Sequence, residues 1–366
     1  MIRSLQLLLL LLVSTVFFAV TTPAQSADNR VRIEFQGLNA FSSADVLKDF
    51  GEQGLQVLKD NNPSQKTISE AAKALKIILA GRGYMDASIV GLRLEVSNVV
   101  RFVVDEGMRY SITSLTFVGN KHFTSDELAS LLREHLANFS DKTGSGYDRG
   151  ILDYAIRLLA NHLRSEGYLQ AQLSAPQIRV AGAGLAVTIP LTEGPLCRLG
   201  NLKINGVEAF RLEEVRSLLQ MTKGDIANGD RIAKWLFEDL KRLYGEKGFI
   251  EYTAEPVPLF KNDPRNPEEG IVDLEVQIEE GKQYTLRSLT IEGEKLSQKQ
   301  MADYFVLTVG DVFNQRLLQE SVARINKTGL FEAIDVDKDF KFKTDQENAI
   351  VALELNLRKK GVADNH

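Results

Sequence analysis

Four glycines, Gly37, Gly119, Gly206 and Gly293, each close a short alternating strand, and they stand 82, 87 and 87 residues apart. The strands read Ile33-Glu34-Phe35-Gln36, Leu115-Thr116-Phe117-Val118, Leu202-Lys203-Ile204-Asn205 and Leu289-Thr290-Ile291-Glu292. In each, the residues two and four before the glycine are apolar, so the same face is buried every time. A chain that repeats its architecture four times is an array, and arrays more often bind or scaffold than catalyse.

Two further glycine sets keep step with the first. Gly83, Gly167, Gly248 and Gly329 follow helical patterns and precede Tyr84, Tyr168, Phe249 and Leu330-Phe331. Glu106-Gly107, Glu193-Gly194 and Glu280-Gly281 follow strands, with Gly361 as a degenerate fourth. The order of the landmarks persists while the intervals vary, which places loops of variable length between fixed elements.

The second copy is the clearest. Its first strand, Ile112 to Val118, ends at Gly119-Asn120, a turn signal. Thr124 and Glu127 have the spacing of a capping box, so a helix of about ten residues follows, to Leu136. Lys142 to Gly146 reads as a connector. A second helix runs from Asp148 to Ser165 with Leu152, Ile156, Leu159 and Leu163 on one stripe, and Gly167 ends it. Tyr168 to Leu173 reads as a strand, Gly182 and Gly184 mark a turn, and Leu185, Val187, Ile189 and Leu191 alternate along a last strand. Pro190 in that strand calls for a bulge or an unpaired edge.

The order is therefore β-α-α-β-β, and the other copies obey it. Second-helix stripes recur as Ile68, Ala72, Leu75, Leu79; as Ile232, Leu236, Leu240, Leu243; and as Leu318, Val322, Ile325. The fold class expected is α+β: a tandem array of four units, each a three-stranded sheet with two helices covering one face. The units span residues 30–107, 108–194, 195–281 and 282–360. Trp235, on the third unit's second helix, is expected to be semi-buried.

Residues 1–26 read as a secretory signal. Arg3 precedes an apolar run from Leu5 to Val20, and Ala24-Gln25-Ser26 suits cleavage. The run is short for a bilayer span; an uncleaved inner-membrane anchor is the rival. The lone cysteine, Cys197, has no internal partner and reads as a small buried residue. A net charge of −5 argues against nucleic acid. Asp335, Asp337 and Asp339 open like a calcium loop, but Phe340 and Gln346 stand where glycine and glutamate are required, and a strand would put the three carboxylates on one solvated face. Gly144-Ser145-Gly146 lacks the third glycine of a dinucleotide loop, and no pair of His122, His135, His162 and His366 has metal-ligand spacing. No catalytic residues, cofactor, metal or small-molecule substrate are expected.

The strand-closing glycine, the Gly-Tyr or Gly-Phe after the second helix, and the Glu-Gly after the last strand together resemble POTRA domains. These polypeptide-transport-associated modules form the periplasmic arm of the BamA/TamA outer-membrane assembly family. The resemblance rests on Leu115 through Phe123, on Glu106-Gly107-Met108-Arg109-Tyr110 and on Glu280-Gly281-Lys282-Gln283-Tyr284. It weakens in the first unit, where Arg101 interrupts the final strand. Family members continue into a transmembrane β-barrel, for which Gly361 to His366 is too short. The resemblance implies a non-enzymatic periplasmic protein, associated with the outer membrane and acting in outer-membrane protein assembly. Its partners would be unfolded outer-membrane proteins, a separate barrel assembly protein, or both. An inner-membrane-anchored division or envelope scaffold, or a truncated arm of a barrel-containing protein, are the alternatives. In the family arrangement the first strand after the helices lies at a sheet edge, where an extended partner can add a strand. This marks Tyr168, Leu169, Ala171 and Leu173, with Phe249, Ile250 and Tyr252, as candidate binding residues.

Overall fold

The computed structural model describes residues 31–52, 60–94, 98–143, 146–264, 266 and 268–360. The expected signal segment and Gly361 lie outside these residues. The chain divides into two compact bodies, Met1–Arg109 and Tyr110–His366.

The first body contains β1 (Arg32–Gln36), α1 (Ser43–Glu52), α2 (Gln65–Gly81), β2 (Ser88–Leu94) and β3 (Val99–Asp105). Its sheet has the order β1-β3-β2, with β1 parallel and β2 antiparallel to β3. A parallel pair needs a long crossover, and the two helices supply it. Ser64 caps α2 by accepting the Thr67 amide. The α2 stripe Ile68, Ala72, Leu75 and Leu79 packs with Val46 and Phe50 of α1 on Val100, Phe102 and Val104. Arg101 does not interrupt β3. It lies on the opposite face, where its guanidinium donates to Glu34 at 2.9 Å.

The second body holds three sheets of the same kind. The first contains β4 (Ile112–Val118), α3 (Ser125–Thr143), α4 (Arg149–Ser165), β5 (Gln172–Leu173), β6 (Gln177–Ala181) and β7 (Gly184–Thr192). The next contains β8 (Leu196–Asn205), α5 (Leu212–Ser217), α6 (Gly229–Lys234), a π-helical turn (Trp235–Asp239), α7 (Leu240–Gly245), β9 (Thr253–Asn262) and β10 (Glu269–Glu279). The last contains β11 (Thr285–Gly293), α8 (Gln298–Tyr304), α9 (Gln315–Thr328), α10 (Val336–Asp339), β12 (Phe340–Asp345) and β13 (Ile350–Leu357). In each, the last strand is central, with the first strand parallel on one side and the hairpin partner antiparallel on the other. The fold is α+β, as the patterning predicts.

The strand-closing glycines have one physical cause. Gly37, Gly119, Gly206 and Gly293 have φ of +84°, +91°, +80° and +86°. A Cβ there would lie 2.2, 2.4, 2.0 and 2.4 Å from the carbonyl oxygens of Val104, Leu191, Ile278 and Leu357. Leu357 ends the adjacent central strand, and Val104, Leu191 and Ile278 each lie one residue before its end. Only glycine lets the first strand turn off that close to its neighbour.

Several expectations need correction. The capping box forms, with the Thr124 amide donating to Glu127 at 2.8 Å, but α3 runs on to Thr143 rather than stopping at Leu136. Pro190 lies in a central strand. Its carbonyl accepts the Ser174 amide at 2.9 Å, but it has no N–H to return, and the edge is split there into β5 and β6. Trp235 is fully buried, its indole N–H donating to Val215 at 2.9 Å. Asp335 caps a short helix, so Asp337 and Asp339 lie on α10, not on a strand. Gly329 is not the counterpart of Gly83, Gly167 and Gly248. From the N-cap to these glycines is 19 residues for Ser64 and Asp148 and 20 for Asn228, against 15 from Asn314 to Gly329. The fourth repeat's helix ends a turn early, and a longer stretch before it, 66 residues from Gly248 to Asn314 against 61 from Gly167 to Asn228, keeps the glycine spacing at 81.

Candidate functional site

The glycine turns after the second helices decide where the candidate residues go. At Gly167 (φ +98°) the Tyr168 amide reaches back to Leu163 at 3.0 Å, and at Gly248 (φ +84°) the Phe249 amide reaches Tyr244 at 3.0 Å. A further turn follows in each case, closed by Ala171 N–H to Tyr168 at 2.9 Å and Tyr252 N–H to Phe249 at 3.4 Å. The edge strands therefore begin only at Gln172 and Thr253. Of the seven candidate residues, Leu173 alone lies on a strand.

The other six serve packing. Tyr168 sits edge-on to Phe123, ring centroids 5.0 Å apart. Ala171 is buried. Tyr252 is buried as well, and its hydroxyl donates to Leu236 at 3.0 Å. Phe249 packs on the third repeat's own core. Leu169 and Ile250 cross to the following repeat: Leu169 packs on the core around Trp235 and Val215, and Ile250 on the core around Tyr284 and Phe313.

These crossings belong to two joints of one design. The Gly167 carbonyl accepts the Cys197 amide at 3.0 Å, and the Cys197 carbonyl accepts the Ala227 amide at 2.9 Å. One repeat on, the Gly248 carbonyl accepts the Tyr284 amide at 2.9 Å, and the Tyr284 carbonyl accepts the Phe313 amide at 2.8 Å. A Cβ on Gly167 would meet Ile226 at 2.5 Å and Leu196 at 2.8 Å; one on Gly248 would meet Val312 at 2.8 Å and the Tyr284 carbonyl oxygen at 3.0 Å. Cys197 is thus a buried joint residue, and burial pushes its thiol up. Sequence patterning missed the joints because each is assembled from two repeats.

The Glu-Gly landmarks also acquire a role. Glu106 accepts the amides of Asn39 and Ala40 at 2.7 and 2.9 Å. Glu193 accepts those of Lys121, His122 and Phe123 at 2.8, 2.8 and 3.3 Å, and His122 Nδ1 lies 2.9 Å from it. Glu280 accepts the amides of Glu208 and Ala209 and the Tyr244 hydroxyl. Each carboxylate ties the loop after the first strand to the end of the last strand. The fourth repeat has Lys360 in that place.

Glu193 is 2 % exposed. Burial pushes its carboxyl up, but the His122, Lys121 and Phe123 amides and the His122 ring outweigh it and hold the group below 4.5. A carboxyl depressed by folding gives stability at neutral pH that is lost as pH falls through its folded-state value. Glu193→Gln is therefore expected to lower stability at pH 7, with the gap to the parent shrinking well below pH 4.5, as read by denaturation at both pH values.

Each sheet has two edges, its first strand and its hairpin strand; the antiparallel ones are β2, β5 with β6, β9 and β12. No group of three His, Cys, Asp or Glu that could hold a metal occurs among the described residues.

Comparison with known proteins fits this architecture. The family described as POTRA, surface antigen variable number repeat, matches residues 110–194, 197–281 and 284–360. The chain belongs to the POTRA family. The POTRA repeats are 23 % identical over 273 residues to a putative outer membrane protein assembly factor of Treponema pallidum, covering 73 % of this chain and 31 % of that protein. They are 23 % identical over 259 residues to the outer membrane protein assembly factor BamA of Nitratidesulfovibrio vulgaris, covering 67 % and 32 %. The chain thus spans about a third of the length of these relatives. The crystal structure of Haemophilus influenzae BamA POTRA3-5 shares the fold, with a TM-score of 0.55 at 21 % identity over 69 % of this chain and 97 % of that one. The matched POTRA segments begin at residue 110; residues 31–105 have the same strand order without being among them.

Proposed function

We propose that this chain acts in outer-membrane protein assembly as a non-enzymatic periplasmic arm. It binds unfolded outer-membrane proteins, or a separate barrel assembly protein, by adding their strands to its sheet edges. The observation that carries this reading is that the repeated topology leaves an antiparallel edge strand beside the central strand of all four sheets. The relatives' role as assembly factors supports it. Backbone pairing ignores side-chain identity, which suits a handler of many clients. About five such bonds at roughly 0.5–1.5 kcal/mol each yield a few kcal/mol. Ordering the client offsets much of that, so the contact is weak and transient.

The test is binding of the full chain to a urea-unfolded outer-membrane barrel protein diluted into buffer. Suppressed aggregation with a co-eluting complex is expected, and no interaction with the same barrel once folded. Equal binding to the folded barrel, or none to the unfolded one, rejects the proposal.

A further inference from the structure

The four antiparallel edges are not equivalent, and hydrogen-bond parity shows how they differ. Along an antiparallel strand, alternate residues face the partner and the rest turn their N–H and C=O outward. In the third repeat the Asp263 amide donates to the Glu269 carbonyl at 3.1 Å, and the register runs on through Lys261↔Ile271 to Thr253↔Glu279. Odd-numbered residues of β9 therefore face β10. The outward positions are Ala254, Pro256, Pro258, Phe260 and Asn262. Two consecutive outward positions hold proline, so the middle of this edge has no donor to offer.

The second edge is broken at Ser174 to Pro176, between β5 and β6. The fourth is six residues long, follows the interrupting α10, and carries exposed Lys341 and Lys343. Interruption and lysine are both known protections of a free edge.

The first repeat's edge has no break, proline or lysine; its one cover is α2, at Gly91. The Arg32 amide donates to the Asn98 carbonyl at 3.1 Å, which turns even-numbered β3 residues to β1 and odd-numbered ones to β2. With Val90 opposite Val103 and Leu92 opposite Arg101, the outward residues of β2 are Ile89, Gly91 and Arg93, all with an N–H. Gly91 is buried, and its carbonyl already accepts from Gln65 Nε2 of α2 at 3.2 Å, a side-chain bond that an added strand must displace and replace. On the solvent face Val90, Leu92 and Val103 are 56, 44 and 36 % exposed. A strand added here continues that face as well as the ladder, so one with apolar residues at alternate positions fits best.

We infer that β2 is the acceptor edge of this chain for an extended segment of unfolded polypeptide, and that the third repeat's edge is closed by Pro256 and Pro258. The inference rests on the binding reading above and assigns it to one edge.

The experiment places a photo-crosslinking amino acid at Leu92 or at Val257 of the full chain and adds the urea-unfolded barrel protein. Capture at position 92 is expected to exceed capture at 257 by about twenty-five-fold, since each of the two missing donors is worth roughly fivefold. Arg93→Pro removes an outward N–H without touching the β3 ladder and should cut capture at 92. Pro256→Thr with Pro258→Thr should raise capture at 257 while leaving 92 unchanged, which covers the case in which Arg93→Pro fails to fold. Equal capture at the two positions in the parent, or no gain at 257 from the double variant, overturns the inference. Intact bulk binding without capture at 92 overturns it while leaving the wider function standing. Loss of bulk binding removes both.

Discussion

Gly206→Ala is expected to lower the stability of the third repeat by on the order of 3 kcal/mol or more. Gly206 has φ +80°, a conformation that costs an L-residue about 1–2 kcal/mol. The added methyl would lie 2.0 Å from the Ile278 carbonyl oxygen and 3.1 Å from its carbon. These are backbone atoms of the central strand, so nothing flexible can move aside, and β8 must separate from β10. Trp235, the chain's one tryptophan and fully buried in this repeat, reports the loss directly. At a slope of about 1–3 kcal/mol per molar urea, the fluorescence midpoint should fall by about 1 M or more. Gly182→Ala is the control: φ is +60° but nothing lies within 4 Å of the added carbon, so only the smaller backbone cost remains.

Arg231→Met is expected to cost about 3 kcal/mol by the same tryptophan signal. The extra residue of the π-helical turn brings Asp239 inward, where it is 7 % exposed. Arg231 donates to it at 2.9 Å and to the Leu219 carbonyl at 2.8 Å, and it also donates to the Leu218 carbonyl. One guanidinium thus neutralises a buried carboxylate and satisfies the end of the preceding helical segment. Removing it strands the carboxylate, with only the outward Arg242 at 3.2 Å still in reach. Replacing both partners, Arg231→Met with Asp239→Leu, should recover more than half of the loss, because the stranded charge goes too. A double variant as unstable as the two single losses added together would show that the pair is not coupled.

What the sequence disclosed and what it hid follow from how local each signal is. The helix stripes and alternating strands are periodic within a single element, so Leu152 to Leu163 and Val272 to Ile278 could be placed from spacing alone. The strand-closing glycines were visible as a repeat, though their cause, a carbonyl of a strand some 70 residues away, was not. The strand placement of the candidate binding residues went astray for a similar reason. After Gly167 and Gly248 comes a turn with no glycine or proline to mark it, so Tyr168 and Phe249 read as strand openings. Leu169 and Ile250 are apolar because they meet the next repeat, a contact without any local pattern. Equal spacing also misled at Gly329, where a shorter helix and a longer stretch preceding it cancel. Pro256 and Pro258 were in plain view, but their meaning depends on which way each amide turns, and that needs the register.

Amide hydrogen exchange of the full chain, with and without unfolded barrel protein, bears most directly on the claim that the chain works by lending a sheet edge. Slowed exchange is predicted at Ile89, Gly91 and Arg93, whose amides lie outside the ladder, with the amides of β10 and β13 unchanged. Protection confined to the joints around Gly167 and Gly248, or spread evenly over the repeats while β2 stays unprotected, would contradict it.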